Sequence, residues 1–193
     1  MLNLRKSKVG MKENVEYQLK DESGNIKQLF QPNKLMIWGM KKGIISPFSR
    51  LPIFGHYSDK MVVSNLVTTA GVAGIAARIN AAGAPAAFTY IAIGVGTTAA
   101  ADADTQLETE CTESGGARAS ATCTVVTTDT AGDTAQLVNT FNFTTGASYA
   151  VTESGVLNDA STGTLLARQV FSAINVASGD SLQITWKIDV DTA

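Results

Sequence analysis

Near its end the chain alternates cleanly. Leu182, Ile184, Trp186, Ile188 and Val190 fall on one side of an extended strand, and Gln183, Thr185, Lys187 and Asp189 fall on the other. That period of two is what a sheet with one wet face produces. Similar short apolar runs, rich in threonine, recur over residues 88–94, 117–128, 134–144, 149–157 and 165–171, with 181–190 the last of them. Between them lie clusters of Gly, Asp, Ser and Thr at 129–133, 145–148, 158–163 and 177–180, which are turn residues. Six short strands at this spacing predict a mainly β protein, an antiparallel β-sandwich or jelly roll.

The beginning of the chain reads differently. Residues 15–20 and 26–30 alternate on either side of Asp21-Glu22-Ser23-Gly24-Asn25, a hairpin signal. From 31 to 60, Pro32, Pro47, Pro52, Gly39, Gly43 and Gly55 interrupt large apolar side chains, which opposes a long helix or an interior strand. Trp38, Phe48, Phe54 and Tyr57 fall in this stretch and are the expected partner-docking anchors, on an arm that covers its aromatics with a foreign surface. Residues 62–83 suggest one short helix, with Val72, Ile75, Ala76 and Ile79 on one face and Gly83 and Pro85 as the stop. The expected organisation is a basic hairpin and docking arm at 1–60, a helix and linker at 61–85, and a β-sandwich at 86–193.

Charge sharpens that division. Residues 1–60 carry eleven Lys and Arg against five acids, a net +6, whereas 61–193 carry four against twelve, a net −8. Only 17% of the chain is charged and 45% is hydrophobic, a composition suited to a protein that hides surface against neighbours. The basic cluster Arg5, Lys6, Lys8 and Lys12 is followed by Glu13 and Glu16, without a nucleic-acid-binding signature. Docking on an acidic protein surface, including that of a second copy, suits it at least as well. The longest apolar stretch, 62–87, is broken by Ser64, Asn65, Arg78 and Asn80, so no membrane span is expected, and the first thirty residues do not resemble a signal peptide.

Chemistry is sparse. His56 is the single histidine and has only Asp59 as a nearby acid. Gly94-Val95-Gly96-Thr97-Thr98 has the look of a phosphate loop but lacks its lysine, and Asp102 and Asp104 follow. The acids Asp102, Asp104, Glu108 and Glu110 are a candidate calcium cluster without the glycine and terminal glutamate of an EF-hand. Cys111 and Cys123 stand twelve apart, and spacing alone does not establish a disulfide. No Ser–His–Asp or Cys–His constellation is legible, so no enzyme activity, small-molecule substrate, metal or cofactor is expected.

Several segments together resemble the small structural proteins of tailed-bacteriophage virions, a group spanning decoration and tail-fibre-like proteins. They are Asn65 through Ala76, Phe88 through Thr98, Asp102 through Glu108, Thr152-Glu153-Ser154-Gly155-Val156-Leu157, and Gly163 through Arg168. The opening hairpin with its Ser23-Gly24 turn is similar as well, whereas the stretch from Trp38 to Tyr57 lies outside the pattern. The resemblance implies a β-sandwich displayed on a phage particle, as capsid decoration or cement or as a neck, tail or fibre component. It also implies other virion proteins as partners and a homo-oligomer, with three-fold symmetry the arrangement expected from such systems. A host-glycan-binding module is the alternative; its loops would need exposed aromatics, and 129–133, 158–163 and 177–180 contain none.

Overall fold

A computed structural model of the chain describes residues 9–192, with side chains described from 14 to 190. The basic cluster at Arg5, Lys6 and Lys8, and the side chain of Lys12, lie outside the described portion.

The chain is mainly β, as the alternation predicts. In order it forms β1 (Val9–Lys20), β2 (Ile26–Lys27), β3 (Leu29–Pro32), helix α1 (Lys34–Lys41), a 3-10 turn (Pro52–Phe54), β4 (Gly55–Ser58), β5 (Met61–Ser64), β6 (Leu66–Val67) and helix α2 (Thr69–Asn80). Then follow β7 (Tyr90–Gly94), β8 (Ala119–Ser120), β9 (Thr122–Val126), β10 (Thr134–Asn142), β11 (Ser148–Leu157), β12 (Leu165–Ala177) and β13 (Ser181–Thr192).

Two antiparallel sheets face each other. The first runs β2-β1-β13-β10-β9, with β5 also paired to β1, and the second runs β6-β12-β11-β7-β8. Their inner faces make one core. Val15, Tyr17, Leu182, Ile184 and Trp186 from the first sheet meet Ile91, Ile93, Val156, Phe171 and Ile174 from the second. Tyr17 stacks on Phe171 with ring centroids 4.2 Å apart, and its hydroxyl shares a 2.7 Å hydrogen bond with Ser154.

β13 keeps its predicted faces through Ile188 and then departs from them. Val190 is exposed and Asp189 is buried, because the strand leaves the core where the Asp133 carbonyl accepts from the Val190 amide. β11 and β12 are buried on both faces. Their outer side is covered by Leu107 from the long loop before β8, which packs with Ala92, Leu157 and Leu165.

The hairpin at 15–30 is present: Leu19 pairs with Lys27 and Lys20 with Ile26 around a turn capped by the Asp21 carboxylate. It is no appendage to a separate sandwich, however. β1 pairs with β13 in unbroken register from Val9↔Thr192 to Lys20↔Ser181, and Val15, Tyr17 and Leu19 lie in the shared core. The core therefore crosses the boundaries expected at 60 and 85.

The helices differ from expectation too. α2 begins at Thr69, where the Thr68 side chain accepts from the Gly71 amide; residues 61–67 before it are β5 and β6. α1 lies in the stretch read as irregular. It occupies the proline-free run between Pro32 and Pro47, with Asn33 as its N-cap and Gly43 just past its end.

Candidate docking surface

Residues 29–58 fold into a cap beside the second sheet. Its small core consists of Phe30, Met36 and Met40, with Ile37, Ile45 and Phe54 packed against them. β3 and β4 pair from Leu29↔Ser58 to Pro32↔Gly55. Asn33 clamps the unit: its Oδ1 accepts from the Met36 amide at 3.0 Å and its Nδ2 donates to the Ile53 carbonyl at 2.7 Å.

The cap is fastened to β12, beyond the two residues that pair with β6. The Ala173 amide donates to the Pro47 carbonyl at 3.0 Å, and the Arg50 guanidinium donates to the Ala173 carbonyl. Covering a strand edge with a folded segment removes a site of unwanted pairing. Arg50 also lies over the Phe30 ring, 5.2 Å from its centroid, which holds the guanidinium against the cap's aromatic core.

What the cap does not do is bury its own surface. Trp38, Phe48 and Tyr57 are 53%, 53% and 57% exposed, and Leu35, Ile44, Leu51 and Ile53 are exposed beside them in sequence. Seven of the thirteen exposed large apolar side chains among the described residues come from this 23-residue stretch, so the cap concentrates exposed apolar surface. Three of the four expected anchors are outward. Phe54 is the exception: it is half-buried against Phe30 and Met36 and holds the cap together.

Lys34, Trp38 and Lys41 are spaced four and three apart on α1, so they fall on one face of the helix. Among the described residues Lys34, Lys41 and Lys42 form no ion pair. A cavity of about 210 Å³ opens beside the cap between α1, β6 and β12, lined by Ile37, Met40, Asn65 and Val170 among others. The Asn65 amide nitrogen and oxygen are both buried with no hydrogen-bond partner among the described residues.

The other candidates resolve into structure. Glu153 is fully buried, and its carboxylate accepts from the amides of Gly96 at 3.0 Å, Glu108 at 3.1 Å and Thr109 at 2.8 Å. The glycine loop at 94–98 thus wraps an internal carboxylate where a phosphate loop would wrap a ligand. Glycine is required at 96 because a Cβ would fall 2.5 Å from Glu153 Oε1.

Arg168 donates to Glu153 at 2.8 Å, to Asp104 at 2.8 Å and to the Thr98 carbonyl at 3.2 Å, and Glu108 stands 3.6 Å away. Burial opposes its charge, but the hydrogen bonds it donates to Asp104 and Glu153 more than offset that and raise its pKa. Glu110 pairs with Arg118, which also donates to the carbonyls of Asp159 and Thr162. Asp104, Glu108 and Glu110 of the calcium candidate are therefore engaged with arginines, and no cluster of three metal-ligating side chains occurs among the described residues.

His56 is exposed on β4. Cys111 and Cys123 are unpaired, the first buried and the second exposed. Burial, with Glu153 and Glu110 nearby, pushes the Cys111 thiol up to about 11.

Sequence reasoning missed Leu35, Ile44, Leu51 and Ile53 as exposed members of the cap. Their signal was their density in a Pro- and Gly-broken stretch, the same signal that singled out the aromatics. It missed the Glu153–Arg168 pair as a unit, since fifteen residues of two strands and a turn separate them. No helix among the described residues is long and apolar enough to cross a membrane. No protein-family model, curated protein or solved structure matches the chain.

Proposed function

We propose that the protein is a non-enzymatic structural subunit of a tailed-phage virion, held on the particle through the apolar surface of its cap. The observation that carries the reading is the outward set of Trp38, Phe48 and Tyr57 on a unit already folded and fixed to the sandwich. A rigid aromatic surface loses little conformational freedom on docking, and aromatics dominate interface hot spots. The lysines flanking Trp38 favour a partner whose apolar recess carries an acidic rim. The cavity at Asn65 accepts one protruding group of that partner, whose peptide bond would satisfy the amide. Capsid decoration or cement, or a neck, tail or fibre position, are the stations this mode of attachment serves.

The test uses the full chain. Trp38→Asp and Phe48→Asp, each on an exposed position, are expected to leave the thermal unfolding transition within a few degrees of wild type. They are expected to lower incorporation into particles at least about thirtyfold, the equivalent of roughly 2 kcal/mol at a hot spot. Folded variants that join particles at wild-type level overturn the proposal.

A further inference from the structure

β9 (Thr122–Val126) is the last strand of the first sheet on the side away from β2. It pairs with β10 through five register positions, from Thr122↔Val138 to Val126↔Thr134. No backbone hydrogen bond among the described residues reaches its other edge. The remaining sheet borders are short, covered or charged: the Gln31 side chain bonds both backbone groups of Val62 in β5, and β1 at 9–13, which has no strand opposite β13 among the described residues, carries Lys12 and Glu13. β2, β6 and β8 are two residues long each, and β12 beyond β6 is covered by the cap. β9 carries none of the usual guards against strand addition, which are a lysine, a proline, an inward charge or a covering segment. Its residues are Thr122-Cys123-Thr124-Val125-Val126, four β-branched side chains and a cysteine. The first four are exposed, Val125 to 72%.

An open edge of this kind takes an extended strand, and the sequence says which. From Ala119 to Thr128 there is not one charged residue. An antiparallel copy of the same segment therefore brings no like charges together, and it sets Thr and Val opposite Thr, Val and Cys, pairs that stabilise antiparallel sheets. We infer that two copies of the protein join through β9, edge to edge and antiparallel, so that their first sheets continue across a two-fold axis. The pairing is isologous, since each copy gives the same strand and receives the same strand. It predicts an even-numbered assembly step where three-fold closure was expected. It is independent of the cap, which is carried by another part of the fold.

The experiment measures self-association of the purified full chain and the distance between copies at Cys123. Cys123 is exposed and Cys111 is buried, so a nitroxide reagent attaches at 123. Any antiparallel overlap of three or more residues keeps the two Cys123 backbones within about 15 Å, from the strand spacing and the rise per residue. The expected result is a dimer by sedimentation for the unlabelled chain, and strong dipolar coupling between labels at short range.

Thr124→Lys and Thr124→Glu, both on an exposed position, are each expected to weaken self-association at least about fivefold. Mixing the two variants is expected to restore the dimer, since opposite charges then meet across the axis. Val125→Lys serves the same purpose if either variant fails to fold. A wild-type chain that stays monomeric at every soluble concentration overturns the inference. So does a dimer or trimer that leaves the labels uncoupled, or one that folded Lys variants do not weaken.

Discussion

Two irregular stretches of this protein are fixed in opposite ways. The loop from Val95 to Arg118 is pinned from inside, by a buried carboxylate that gathers backbone amides and by two arginines that tie acids and carbonyls together. The cap at 29–58 is held by a small apolar core and a few backbone bonds, and it leaves its largest side chains outside. The first stretch has its carboxylates and arginines paired within the chain, whereas the second leaves large apolar side chains exposed. Such a contrast separates residues that maintain the fold from residues available for attachment.

The sharpest way to break this comparison is truncation. Had residues 1–60 been a free arm, their removal would leave a soluble sandwich. The structure puts β1 between β13 and β5, so the truncated chain is expected not to fold at all, with loss of near-ultraviolet circular dichroism and of dispersed amide resonances. A folded 61–193 fragment would restore the separate-arm organisation.

Next in size is Glu153→Ala. It removes the acceptor of three amides and leaves Arg168 buried with a lost partner, and urea unfolding should show a loss of about 3–5 kcal/mol. Trp38→Ala, in the cap, should stay within about 0.5 kcal/mol of wild type in the same assay.

A smaller effect of opposite sign is expected at the cavity. Asn65→Leu replaces two unsatisfied buried polar atoms with apolar ones of similar size, so stability should rise by roughly 1 kcal/mol while particle incorporation falls. A variant that is destabilised would show that the amide is satisfied in the isolated chain.

The mildest test is pH. Hydrogen bonds from the Thr130, Thr128 and Asp129 amides hold the Asp133 carboxyl well below the ordinary carboxylate range. A depressed folded-state pKa adds stability above the unfolded value, near 4, and that stability fades as pH falls toward the folded value. Asp133→Asn should flatten this acid limb in thermal melts: the melting temperature falls at neutral pH, and the difference from wild type closes as pH drops from about 4 toward 2.

Much of this fold is legible in the residues. The strands from 88 onward follow from alternation and turn chemistry, because a one-residue slip would turn Leu182, Ile184 and Trp186 out of the core. What alternation does not carry is which strands meet. Nothing local in Val15-Glu16-Tyr17 says that Trp186 lies across from Val15, since that pairing is set by the closing of the whole sandwich. α1 was hidden for a different reason. Eight helical residues between prolines give too short a period to read, and the signals that define it, Asn33 before and Gly43 after, are weak alone. The exposed aromatics of the cap were legible as aromatics in a broken stretch. Phe54 shows the limit of that signal, because composition does not distinguish an anchor that faces a partner from one that holds its own unit together.

The position of β13 also governs how the molecule comes to be. It lies between β1 and β10, so β1 must wait for a strand made much later before its ladder closes. A ribosome-bound chain with everything through β12 outside still has the β13-facing edge of β1 unpaired. Pairings between strands this far apart in sequence raise contact order and slow folding. Closure of the first sheet is thus tied to residues 181–192, and a chain lacking them would have an open slot in the middle of that sheet.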